Sequence, residues 1–91
     1  MISVTMVDAN VYEVVVEGQT ETSHRVALSQ DYYRKLSGRQ FTHEWIIIQA
    51  FHFLLEHEAN TSILREFDLE DINRFFPEFE SEIERRLDAR R

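Results

Sequence analysis

The 91-residue chain carries a formal charge of −7, no cysteine, two glycines and one proline, and 43% of its residues are hydrophobic, seven of them Phe. Without cysteine there is no disulfide framework, thiol nucleophile or thiolate metal site. The acidic balance argues against an overall electrostatic pull toward nucleic acid or anionic membrane. The apolar content suits a folded chain rather than a disordered tail. One small domain spanning 1–91 is expected, its folding hiding only roughly 60–65% of the surface the unfolded chain exposes.

Residues 2–7, ISVTMV, alternate apolar with hydroxyl side chains, the period-two pattern of a half-buried strand. Asp8-Ala9-Asn10 is turn chemistry. Residues 11–17, VYEVVVE, are β-branched and aromatic and read as a second strand. A polar loop over 18–23 leads to a third strand, 24–29, with Val26 and Leu28 on one face. Three short strands in succession predict an antiparallel meander, which needs helices on one face to be stable.

Helical signals follow. Ser29 caps a short helix, QDYYRKLS, closed by Gly38. Thr42 caps HEWIIIQAFHFLLEHE, 43–58, with Glu44 in the first turn, where the helix dipole favours an acid. Asn60 or Thr61 is expected to cap another helix ending near Phe67, and Asp68 to open one more, LEDINRF, that stops before Phe76, the residue preceding Pro77. Pro77 suits the first turn of a last helix, PEFESEIERRLDAR, with acids at 78, 80, 82 and 84 and Arg85, Arg86, Arg90 and Arg91 late. Phe79, Ile83 and Leu87 form its apolar stripe. The predicted fold class is α+β: a three-stranded antiparallel meander followed by four or five helices, with helix 43–58 central.

Candidate chemistry is sparse. His43-Glu44 begins like a zinc-protease helix, but that motif needs a second histidine at position 47, which is Ile. His52 and Glu56 share a helix face at i,i+4 without a third ligand and read as a surface pair. Glu78 and Glu82 read as a solvated face that complements the dipole. Gly18 and Gly38 stand too far apart for a phosphate loop. No catalytic residue, metal or cofactor is expected. MISVTMVDANVY lacks the basic start and apolar run of a signal peptide, and no apolar stretch is long enough to span a bilayer, so a cytoplasmic location is expected.

One segment departs from the acidic background. Between Thr22 and His43 the only acid is Asp31, against Arg25, Arg34, Lys35 and Arg39. Here HRVALS, QDYYRKLS, GRQ and THEWIIIQAFHFLLE follow one another as strand, helix, turn and helix. That order resembles the ribbon-helix-helix family of DNA-binding proteins and antitoxins. The resemblance implies a dimer built by pairing the two strands, with Arg25, Ala27 and Thr22 or Ser23 facing DNA and the helix start at Thr42 near phosphate. A second resemblance lies in the tail: "NTSILREFDLEDINRFFPEFESEI" is similar to a segment of small bacterial proteins of uncharacterised role, and it implies no activity. By spacing alone the same Phe-rich run reads as core packing.

The central helix poses the main structural demand. At about 100° per residue, apolar side chains occupy about 200° of its circumference, leaving Trp45, Gln49, His52 and Glu56 on the remaining stripe. Such a helix must be covered on two sides, and so small a chain is expected to be short of layers. A second copy across a two-fold axis is therefore expected to cover part of it, through Ile47, Phe51 or Leu54, or else through Phe75, Phe76 and Phe79. The reading that results is a non-enzymatic cytoplasmic protein acting by protein–protein association as a homo-oligomer, with an unidentified protein partner also allowed. The alternative is a ribbon-helix-helix-like DNA-binding antitoxin or transcriptional regulator.

Overall fold

The computed structural model describes residues 1–37 and 40–88. The Gly38 cap, Arg39, Arg90 and Arg91 lie outside the described residues. The elements run β1 (Ile2–Asp8), β2 (Val11–Val16), β3 (Thr22–Ala27), α1 (Gln30–Ser37), α2 (His43–His57), a 3-10 turn at Asn60–Ser62, β4 (Glu66–Asp68), a second 3-10 turn at Leu69–Asp71, the single-turn α3 (Ile72–Phe75) and α4 (Phe79–Asp88). The fold is α+β with a four-stranded mixed sheet in the order β1-β2-β3-β4.

β1, β2 and β3 form the expected antiparallel meander. Asn10, at φ 59°, takes the left-handed turn conformation that Asn tolerates better than most residues. β4 is a correction. Where a helix was expected to run to Phe67, the chain is extended and pairs parallel to β3, with Arg25↔Glu66, Val26↔Phe67 and Ala27↔Asp68 in register. The reason is periodicity. Ile63 and Leu69 are buried and Phe67 half-buried, while Leu64, Glu66 and Asp68 are exposed, so the run satisfies a two-residue alternation. Short apolar runs fit strand and helix alike.

Period two also sorts the sheet into faces. Tyr12, Val14, Val16, His24 and Val26 are buried on the helix side, and Thr5, Glu13, Ser23, Arg25 and Glu66 lie on an open outer face. The N-caps of α1 and α2 are those the sequence predicts, Ser29 Oγ accepting from Tyr32 N–H at 3.1 Å and Thr42 Oγ1 from Trp45 N–H at 3.0 Å, whereas Ala59 rather than Asn60 or Thr61 precedes the 3-10 turn. In α4, Phe79, Ile83 and Leu87 form the buried stripe.

The two sides of α2 are covered within one chain. Phe51 and Phe53, about 200° apart on the helix, divide the task. Phe51 meets His24 of β3 at 5.5 Å and Phe67 of β4 at 6.1 Å between ring centroids. Phe53 meets Phe76 and Phe79, each at 5.5 Å. Ile47, Phe51, Leu54 and Phe79 are all buried. Cover by a second copy was expected through Ile47, Phe51 or Leu54, or else through Phe75, Phe76 and Phe79; within the chain β4 enlarges the sheet and α4 packs along α2, while Phe75 stays exposed. Gln49, placed on the polar stripe by periodicity, is buried as well, which leaves His52 and Glu56 exposed there.

At the N-terminal end of α2, His43 stacks on Tyr33 at 4.1 Å and lies 5.8 Å from Tyr12. Its Nδ1 is buried with no hydrogen-bond partner among the described residues. Burial pushes its pKa below the ordinary 6.5, outweighing the upward pull of Glu44. The unfolded chain therefore takes up this proton first. The stabilising contribution is complete above pH 6.5 and is lost as the pH falls through the lower folded value. Glu56 and Glu82 titrate outside that window, since hydrogen bonds from Arg86 and Arg85 hold them below the usual 4.5. The melting temperature should decline between about pH 7 and pH 5, and His43→Phe, which keeps the ring packing, should flatten that decline. An identical pH profile in the variant would assign the acid sensitivity to other groups.

Candidate docking groove

The segment after α2 is held in place from the sheet. Glu58 turns extended and ends α2, and its N–H closes on Leu54 O. Asn60 Nδ2 then donates to Thr20 O at 2.7 Å and Thr22 Oγ1 at 3.0 Å, tying the 3-10 turn to the β2–β3 loop. His24 Nδ1 lies 2.7 Å from Leu64 O, its Nε2 lies 2.9 Å from Thr22 Oγ1, and Arg25 N–H donates to Arg65 O at 2.6 Å. Asp68 and Asp71 cap each other's backbone and start the helical turns that carry Ile72 inward. Pro77 then ends the run.

These constraints shape an apolar groove of about 180 Å³. Leu54, Ile63 and Ile72 make a buried floor, and Phe67 and Phe76 are half-buried walls. At the lip, Phe75 is 65% and Leu64 54% exposed. Glu58 and Asp71 line the rim, and no cation lines it among the described residues. The volume lies below the roughly 300–1,000 Å³ of small-molecule clefts. It suits an inserted side chain.

Of the residues singled out in the sequence, Phe75 and Phe76 meet in this groove; Ile47, Phe51 and Phe79 are core, and Leu54 serves as both core and floor. Phe76 is tied down by Phe53 and by His57 at 4.9 Å. Of the basic residues Arg25, Arg34, Lys35 and Arg39, the first three are described, and each has acidic neighbours. Arg25 stands in register between Glu13 and Glu66 on the open sheet face. Arg34 pairs with Asp31 at 3.2 Å and Lys35 with Glu80 at 3.5 Å. β3 has β2 on one side and β4 on the other, so the free strand edge that a ribbon-helix-helix dimer requires is not available on it. Glu56, paired by the sequence with His52, accepts instead from Arg86 at 2.7 Å.

A wider hollow of about 530 Å³ is lined by Asp68, Glu70, Asp71, Asn73, Arg74 and Glu80. Its polar groups hold one another. Tyr32 O–H donates to Glu80 at 2.9 Å and accepts from Asn73 at 2.8 Å, and burial raises the phenol pKa well above its ordinary value, keeping it a donor. The residue that sequence reasoning missed is His24, only 2% exposed. Its one signal was phase, two residues before Val26 on the inner face. The chain matches no protein-family model, no curated protein and no solved structure.

Proposed function

We propose that the protein is a cytoplasmic binding module that works by association rather than catalysis, and that its groove takes one large apolar side chain from a partner protein. The observation that carries this reading is the pair Phe75 and Leu64, exposed at the lip of a hollow with an apolar floor. Large apolar side chains exposed together around a pocket mark interaction sites more often than isolated ones do. The rim acids Glu58 and Asp71, within a chain of charge −7, favour a partner segment whose anchor is flanked by Lys or Arg. No helix among the described residues is long and apolar enough to cross a membrane.

Short synthetic helices with a central Phe, Leu or Ala between Lys or Glu flanks test this reading. Lys-flanked Phe and Leu helices should shift the methyl resonances of Leu54, Leu64 and Ile72; Ala-centred and Glu-flanked helices should not. Phe75→Asp should abolish the shifts while changing stability by no more than about 0.5 kcal/mol, as surface substitutions do. Silence with every helix, or shifts that persist in Phe75→Asp, would remove the groove as the site.

A further inference from the structure

The sheet has two edges, β1 and β4, and only one is defended. β4 is three residues long and bears Glu66 and Asp68; brevity and charge are both common protections against edge-to-edge pairing. β1 is seven residues long, and from Ile2 to Val7 it holds no charge, proline or glycine. Met6 is 56% and Val7 43% exposed.

The ladder shows which groups β1 leaves unpaired. Glu17 N–H donates to Met1 O at 2.9 Å, and the Met1 amino group lies 3.4 Å from Glu17 O, so these two residues form a hydrogen-bonded pair. The register runs on unbroken from Ile2↔Val16 to Met6↔Tyr12. Antiparallel pairs alternate between bonded and non-bonded. Ser3 and Thr5 therefore bond to β2, and Ile2, Val4 and Met6 turn their N–H and C=O groups outward.

We infer that this edge is the pairing site for a second copy of the chain, β1 against β1 in antiparallel register about a two-fold axis at Val4. Parity supports it. The axis sets Val4 against Val4 of the partner subunit and Ile2 against Met6 of the partner subunit, so outward groups meet outward groups. Ile2, Val4 and Met6 share the helix-side face, so the join extends the apolar layer and covers Met6. On the open face Ser3 meets Thr5 of the partner subunit. Charge supports it as well. Two copies that each carry −7 repel, and Ile2–Val7 is an edge where they approach without opposed carboxylates. Asp8 lies beyond the bulge between Met6 and Asp8 and outside the paired segment. The inference does not rest on the groove, which adjoins β4 at the opposite edge. Pairing over so short a strand belongs with interfaces below about 1,200 Å², so the dimer is reversible rather than obligate.

Sedimentation equilibrium of the full chain from micromolar to millimolar concentration should give a monomer–dimer isotherm. Over the same range amide exchange should slow at Ile2, Val4 and Met6 and stay unchanged at Ser3 and Thr5. The double variant Ser3→Lys/Thr5→Lys sets like charges opposite each other across the axis. Both side chains are exposed, and position 5 faces Glu13 of its own chain, so the fold is kept; its dimer should weaken roughly tenfold. Val4→Pro removes an outward N–H and leaves the β2 ladder intact, and it should also weaken the dimer. Monomer mass at every concentration, or a dimer of unchanged affinity in the folded lysine variant, would overturn the inference.

Discussion

Phe51→Ala should lower the melting temperature by about 12–40 °C. Removing a buried phenyl ring costs about 3–5 kcal/mol, as lost transfer energy plus the cavity left behind. Each kcal/mol is worth about 4–8 °C in a chain of this size. Phe51 is fully buried between His24 and Phe67, so it joins α2 to both β3 and β4. The stability of a chain this long is itself only about 5–15 kcal/mol, so the variant should be partly unfolded near physiological temperature. Thermal melts followed by circular dichroism measure the loss. The shift should be the same in dilute and concentrated samples, because the Phe51 ring packs wholly within its own chain. A shift that grew with concentration and shrank on dilution would mean that a second copy covers Phe51 after all.

His24→Ala should cost about 2–4 kcal/mol, from two sources. The variant gives up the ring packing against Phe51, and it leaves Leu64 O without the imidazole nitrogen that faces it at 2.7 Å. Breaking that part-buried hydrogen bond costs about 0.5–1.5 kcal/mol. The damage should also be directional. With the segment around Leu64 released from β3, the Arg25 N–H that bonds to Arg65 O should exchange faster than the amides that join β2 to β3. Hydrogen exchange read residue by residue would separate this from general destabilisation. Uniform acceleration across the whole sheet would mean that His24 stabilises the core without specifically anchoring the groove segment.

Whatever rests on neighbours along the chain was legible without coordinates. The alternation in ISVTMV and VYEVVVE reports directly on which side each residue points, because the pleat has period two. Ser29 and Thr42 announce α1 and α2, because an N-cap hydroxyl bonds an amide only three residues on. Pro77 ends the preceding helical turn through its own ring. The stripe Phe79, Ile83 and Leu87 is a helical face by spacing alone.

Tertiary structure decided the rest, because it depends on residues far apart in sequence. The EFD within ILREFDL becomes a strand through an edge of β3 some forty residues earlier, with His24 and Leu64 O holding the two segments together. Phe75 and Phe76 are adjacent and chemically identical. Packing against Phe53 and His57 makes Phe76 a wall of the groove and leaves Phe75 at its lip. Hydrophobic pattern told how much of α2 had to be covered. It could not tell that β4 and α4 would do so, since periodicity measures the width of an apolar face, whereas its burial depends on which distant segments fold back onto it.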